Sequence, residues 1–161
     1  MKKRELFTMS RIMGELKNAK TSVKFAYGLS KNRKMVDIEL DAIKEIAEPT
    51  AEVKGYEEAR VNICERFAEK DEAARPKIVE GNYVIEEKGR KTFEKQLAKL
   101  KDDHKTVLDE HAEKMKGVEL ILDEEVDTQW YKIKMDLFPE GLKQYQYDVL
   151  MEFADMEDEN F

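Results

Sequence analysis

FAEKDEAARPKIVEGNYVIEE, Phe67 to Glu87, lies between two long runs of helical periodicity and decides how they are joined. Pro76 stops a simple continuation of the preceding helix, because its ring fixes φ and removes a backbone donor. Lys77-Ile78-Val79 and Tyr83-Val84-Ile85 are short β-prone runs around Glu80-Gly81-Asn82, a glycine-containing turn. Together they predict a β-hairpin over 76–86. A plain connection between antiparallel helices needs only about two to eight residues, so this joint carries structure of its own.

On the N-terminal side, Ala26, Leu29, Val36, Leu40, Ile43 and Ala47 recur at three- and four-residue intervals, which predicts a long helix. Gly28 weakens it by about 1 kcal/mol relative to alanine. Pro49 ends or kinks it at Glu48, and Thr50 caps a second run carrying Val53, Tyr56, Ile63 and Phe67. On the C-terminal side, Phe93, Leu97, Leu100, His104, Leu108, His111, Met115, Val118 and Leu122 are spaced 4-3-4-4-3-4-3-4. That is the seam of a coiled-coil-like helix from near Glu86, roughly 54 Å long at 1.5 Å per residue. Each arm has a stripe too narrow to stand alone in water. The arms are therefore expected to fold back on each other with the β-hairpin at the tip.

Further out, Met9, Ile12, Met13 and Leu16 predict a helix with Thr8 as its cap, and Lys3–Phe7 reads as a short strand before it. Thr128 to Leu137 alternates, with Trp130, Lys132, Lys134 and Asp136 on one face and Tyr131, Ile133, Met135 and Leu137 on the other. This is a strand whose expected partner is Lys3–Phe7. Phe138-Pro-Glu-Gly141 then turns into a last helix from about Leu142, with Tyr145, Val149, Leu150 and Phe153 inward. The fold class expected is mainly α (α+β), as a single domain over 1–161. A helical hairpin spans 22–122 with its β tip at 76–86, a base of minimal sheet and short helices comes from 1–21 and 123–161, and an acidic tail occupies 155–161.

Of the 161 residues, 40% are charged and 41% hydrophobic, a balance that admits a packed core. The single cysteine, Cys64, excludes an intramolecular disulfide and a cysteine-based zinc site. Met1-Lys-Lys-Arg4 is basic but no apolar run follows, so neither a signal peptide nor a membrane span is expected, and a cytoplasmic location fits. The net charge of −7 is unevenly spread, at +8 over residues 1–34, −6 over 35–75, +1 over 76–116 and −10 over 117–161. A basic start is one mark of a nucleic-acid binder, here through Lys2, Lys3, Arg4, Arg11, Lys17, Lys20, Lys24, Arg33 and Lys34. The preferred expectation is that the basic beginning pairs with the acidic end of its own fold, leaving nucleic acid a disfavoured partner.

Catalytic patterns are missing from the sequence. His104 and His111 are one heptad apart, about 10 Å along a helix axis, too far for one metal ion bound at about 2.0–2.1 Å. They are expected to be polar seam positions. Asp102-Asp103 and Glu124-Glu125 are neighbours pointing different ways on a helix. No phosphate loop or nucleophile elbow surrounds Gly28, Gly141, Ser22 or Ser30, and Cys64 reads as a buried thiol. No enzyme, cofactor or metal is expected.

Arg60, Glu65-Arg66-Phe67-Ala68-Glu69-Lys70-Asp71-Glu72, Gly81-Asn82-Tyr83-Val84-Ile85 and Phe93, followed by Asp123-Glu-Glu-Val126 and Asp136-Leu-Phe-Pro139, resemble in order a family of small phage and prophage proteins of unknown function. Where those proteins tend to carry Gly or Asn after the Lys-Asp-Glu run, this chain has Ala73-Ala74. The resemblance implies a phage origin, in an infected host's cytoplasm or on a virion, and brings no catalytic motif. The expected function is a non-enzymatic protein–protein interaction module, an inhibitor or adaptor acting on a host or phage protein. Ile78, Val79, Tyr83, Val84 and Ile85 at the tip, with Trp130 on the strand face opposite Tyr131, are the candidate contact residues. The alternative is a virion structural or assembly accessory (tail, neck, baseplate or scaffolding). The seam can be satisfied by the other arm or by a second copy, so self-association as a dimer or higher remains open.

Overall fold

The computed structural model describes residues 1–155, and beyond Asp155 the expected acidic tail lies outside the described residues. Those residues are mostly helical, with six α-helices and two two-stranded sheets. The helices are α1 (Glu5–Leu16), α2 (Val23–Ala47), α3 (Ala51–Phe67), α4 (Arg90–Asp103), α5 (Lys105–Asp123) and α6 (Gln144–Met151). The strands are β1 (Ile78–Val79) paired antiparallel with β2 (Asn82–Tyr83), and β3 (Ile133–Lys134) paired in parallel with β4 (Ala154–Asp155). The chain divides into two compact units, one of residues 1–47 with 117 onward and the other Glu48–Lys116. The first is wider than the expected base, because it takes in α2 and the last turns of α5.

The first unit holds most of the buried apolar residues. Along α1, Leu6, Met9, Ile12, Met13 and Leu16 form one buried stripe, met by Phe25, Leu29, Val36 and Leu40 of α2 and by Ile133, Leu150 and Phe153. Each such side chain contributes about 1.5–3 kcal/mol when fully buried. Leu6 belongs to that stripe, and this is why Lys3–Phe7 is not the expected strand. The helix begins at Glu5, whose carboxylate accepts the Lys2 N–H at 2.6 Å, so Thr8 is not its cap. Lys3 and Arg4 donate their N–H groups to the carbonyls of Glu124 (2.9 Å) and Leu122 (3.0 Å) at the end of α5. Only a single bridge, Lys2 to Glu125, resembles β pairing there.

The expected strand over 128–137 shrinks to Ile133–Lys134, followed by a 3-10 turn at Met135–Leu137. Its partner comes from after α6, at Ala154–Asp155, and offers two residues only. Upstream, the job of a second strand falls to one side chain. Asn32, fully buried in α2, accepts the Tyr131 N–H at 2.7 Å and donates to the Tyr131 carbonyl at 2.9 Å. Gly28 lies one turn earlier, where a Cβ would come within 2.7 Å of the Ile133 side chain. The glycine that weakens α2 as a helix thus lets the 131–134 segment pack against it. Trp130 does not stand on an open strand face, and its ring meets Phe153 edge-on at 5.2 Å. Tyr145, expected inward, is exposed and donates its hydroxyl to Glu15 at 2.9 Å.

In the second unit, Thr50 caps α3 as expected, its hydroxyl accepting the Val53 N–H at 3.4 Å. The helix after the hairpin is not one piece. It opens with a 3-10 turn at Glu87–Gly89, runs as α4, and is interrupted at His104 (φ −111°, ψ 13°) before α5. The Nδ1 of His104 lies 2.9 Å from the Leu100 carbonyl, which also accepts the His104 main-chain N–H at 3.2 Å. Phe67, at the end of α3, packs edge-on with Phe93 near the start of α4 (5.9 Å), while Tyr56 meets His104 (5.6 Å). Early residues of one helix thus meet late residues of the other, and α3 and α4 run antiparallel.

Candidate functional site

Between Phe67 and Arg90 the chain builds a small structure from its own main chain. Ala68, fully buried, leaves α3 in an extended conformation, and Lys70 donates its ammonium to the Glu65 carbonyl at 2.7 Å, closing the helix end. Ala68 bridges Ile85 and Lys70 bridges Pro76. Three residues from three passes of the chain then close a ring of hydrogen bonds. Glu69 N–H donates to Val84 O (2.7 Å), Val84 N–H to Lys77 O (3.0 Å) and Lys77 N–H to Glu69 O (2.7 Å). Glu86 N–H returns to Phe67 O at 2.9 Å. These bonds satisfy a backbone that neither helix could, and they hold the two halves of the joint in one register.

Two tight reversals complete it. In the first, one carboxylate oxygen of Asp71 accepts the N–H groups of Ala73 and Arg75, both at 2.9 Å, and the other accepts the Arg75 guanidinium at 3.1 Å. The Arg75 main-chain N–H, with smaller help from Ala73 and the guanidinium, holds the Asp71 carboxyl below its ordinary range. Ala74 has φ +58°, the left-handed region that costs an L-residue about 1–2 kcal/mol. In the second reversal, Glu80 (φ +50°) and Gly81 (φ +80°) are both left-handed, the pattern of a type I′ hairpin turn. Gly89 allows α4 to begin against Phe67, whose ring carbon would lie 2.9 Å from an added Cβ.

Of the candidate contact residues, Tyr83, Val84 and Ile85 are half-buried, and the Tyr83 hydroxyl reaches Glu65 at 3.3 Å. Desolvation first, then the nearby Glu65 carboxylate, pushes the Tyr83 hydroxyl up from its usual pKa. Ile78 and Val79 remain 54% and 53% exposed. The structure thus brings five of the six candidates into one tip and divides them into packed and open. Trp130 belongs to the first unit. Asp71 and Ala74 were missed as organisers of the tip. The signal for Asp71 was local, a short acidic side chain able to accept main-chain N–H groups just after it, whereas nothing in the sequence marks Ala74.

The remaining candidates for chemistry do not assemble. His104 packs on Tyr56, while His111 keeps its Nδ1 buried without a hydrogen-bond partner. Among the described residues no group of three or more His, Cys, Asp or Glu side chains is placed to hold a metal ion. Cys64 is a buried free thiol. Lys2 and Arg4 pair with Asp123 at 3.1 and 3.0 Å, Lys3 pairs with Glu124 at 2.8 Å, and Arg4 also reaches Glu119 at 3.4 Å. The start of the basic third thus meets acidic residues from 117 onward, as expected from the charge pattern. No helix among the described residues is long and apolar enough to cross a membrane. No protein-family model, curated protein or solved structure matches this chain.

Proposed function

We propose that this chain is a non-enzymatic protein-interaction module that presents its 67–87 tip to a protein partner. The observation that carries the reading is the exposure of Ile78 and Val79 on a scaffold whose backbone is locked by the Glu69–Lys77–Val84 ring. Two adjacent branched apolar side chains left open on a short β-hairpin lose hydration cost when a partner covers them, and little ordering entropy opposes that docking. In this reading α3 and α4 form the distal part of an antiparallel helical hairpin whose arms run over 22–122. The phage-type resemblance would make the partner a host or phage protein, with the module serving as an inhibitor or adaptor in the infected cell's cytoplasm.

The test uses the photo-crosslinking residue p-benzoylphenylalanine at Val79 in the full chain, with the same residue at exposed Lys91 as control, irradiated in host-cell lysate. A discrete protein adduct at Val79 and none at Lys91 is expected. It should weaken when Ile78→Ser is added, with the circular-dichroism melt unchanged. No adduct at Val79, or a closed ring of identical chains by light scattering, overturns the proposal.

A further inference from the structure

A second surface, in the first unit, has no part in the tip. Val23, Lys24 and Tyr27 on the first turns of α2, together with Tyr131 to Lys134 and Leu137, line a cleft of about 720 Å³. Its apolar side is open. Val23 is 87% exposed, and Tyr27 and Tyr131, packed edge-on at 5.8 Å, are 53% and 45% exposed. Beside them the chain passes through Tyr131 and Lys132 into β3, with one side occupied. Tyr131 spends both main-chain groups on Asn32, and Ile133 donates its N–H to Phe153 O at 2.8 Å in the β3–β4 pairing. Alternate residues of an extended chain direct their N–H and C=O to opposite edges. Lys132, between them, makes no main-chain hydrogen bond among the described residues, and its side chain is exposed. The charges add a sign. Asp155 and Lys134, which also line the cleft, are engaged. Among the other charged lining residues, Lys24 and Lys132 make no ion pair with a described residue, against one such carboxylate, Asp136.

We infer that this cleft binds an extended acidic segment of a partner protein, which adds as a strand along Lys132 with an apolar side chain seated on Val23, Tyr27 and Tyr131. Strand addition draws affinity from main-chain bonds and specificity from side-chain pockets, and this surface has the main-chain groups of Lys132, the residue before β3, beside an apolar seat. The excess of lysine over carboxylate among these residues selects carboxylates on the incoming segment. A tyrosine pair flanked by lysines also suits the bases of a single-stranded nucleic acid, but the open main-chain groups of Lys132 are the partner of a peptide backbone.

A random displayed-peptide library selected against the full chain tests this, with counter-selection against a Lys24→Glu, Lys132→Glu double variant. The expected winners carry carboxylates beside an aromatic or branched apolar residue. Made synthetically, the best of them should lose at least tenfold in affinity to the double variant, and a similar amount when its backbone is N-methylated opposite Lys132. Amide shifts on binding should centre on 131–134. Because Lys24 and Lys132 are exposed, the variant should melt as the parent does. Basic winners, no winners, indifference to N-methylation, or tighter binding of a thymidine octanucleotide than of any selected peptide overturns the inference. A tip substitution such as Val79→Ser should leave peptide binding unchanged, so this result stands apart from the fate of the tip.

Discussion

At the scale of single residues, Asn32 carries the heaviest structural duty for its size. Both ends of its amide are bonded to the main chain of Tyr131, and none of it is exposed. Replacing it with leucine, of similar bulk, leaves the part-buried N–H and C=O of Tyr131 without this partner, at up to about 1–3 kcal/mol each. Asn32→Leu should therefore lower stability by about 3 kcal/mol in urea unfolding, and a loss under 1 kcal/mol would mean that 131 is held by something else. Gly28 makes a milder case. Alanine gains about 1 kcal/mol of helix propensity but drives a Cβ into Ile133, at an overpacking cost of about 1–3 kcal/mol. Gly28→Ala should be a net loss of about 1 kcal/mol that the double variant with Ile133→Ala does not add to the single losses. A double-mutant cycle reads that coupling directly. Neither residue announces its role in the sequence. An asparagine on a helix stripe and a glycine within a helix both read as local blemishes, and their value lies in a segment about a hundred positions away.

At the scale of elements, the tip was the most legible part and also shows what was left unread. Proline, the two β-prone runs and Glu-Gly-Asn sufficed to place a hairpin, because turn chemistry is written in neighbouring residues. But Asn82 pairs within β2 and leaves a two-residue turn, and Val84 and Ile85 lie beyond that strand. The ring through Glu69 was not legible, since it joins three passes of main chain and no side-chain pattern encodes it. Ala74 and Glu80 sit at positive φ without the usual glycine or asparagine. Ala74→Gly should stabilise the tip by about 0.5–1 kcal/mol, the relief of left-handed strain less the added entropy of glycine in the unfolded chain. Hydrogen exchange at Lys77 and Val84 would report it, and faster exchange there would contradict the strain argument. The Asp71 turn carries a pH dependence of known sign. Its carboxyl is held below its usual range in the folded state, so the turn is fully stabilised above the unfolded value, about 3.9. That contribution is lost as pH falls through the lower folded value. Protection of the Ala73 and Arg75 amides should fall with acid through that window, and Asp71→Asn should flatten the dependence. On the far side of the tip, the heptad-like seam placed the helix after the hairpin correctly. It could not show the interruption at His104, because a histidine on a stripe looks the same whether its ring faces a neighbour or bonds its own helix.

At the scale of the whole molecule, the distribution of buried side chains separates the two units more sharply than the sequence does. The first unit buries Leu6, Met9, Ile12, Met13, Phe25, Val36, Leu150 and Phe153, each at most 2% exposed, whereas the buried residues of the second are Val53, Cys64 and Ala68. Seam residues Phe93, Leu97, Leu100, Leu108 and Met115 are only half-buried. Their spacing is as regular as that of the well-covered stripes, since periodicity records which face is apolar and not how fully it is covered. A segment with few buried apolar contacts opens at lower free energy than one packed around a full core. Amides of α3 and α4 should therefore exchange through openings about 2 kcal/mol or more below those of α1 and the central turns of α2. Denaturant should release the 48–116 unit first, seen as a loss of helical ellipticity before the Trp130 fluorescence changes, because Trp130 sits on Phe153 in the first unit. A single coincident transition by both probes would show that the two units unfold as one. Cys64 offers a third probe, since its buried thiol should become reactive to a maleimide in the first step and not the second. An ordering of this kind fits the proposal that the tip of the 48–116 unit meets a partner. The ring at 69, 77 and 84 keeps the tip's local register until the helices beneath it separate, so loss of tip protection should track loss of α3 and not precede it.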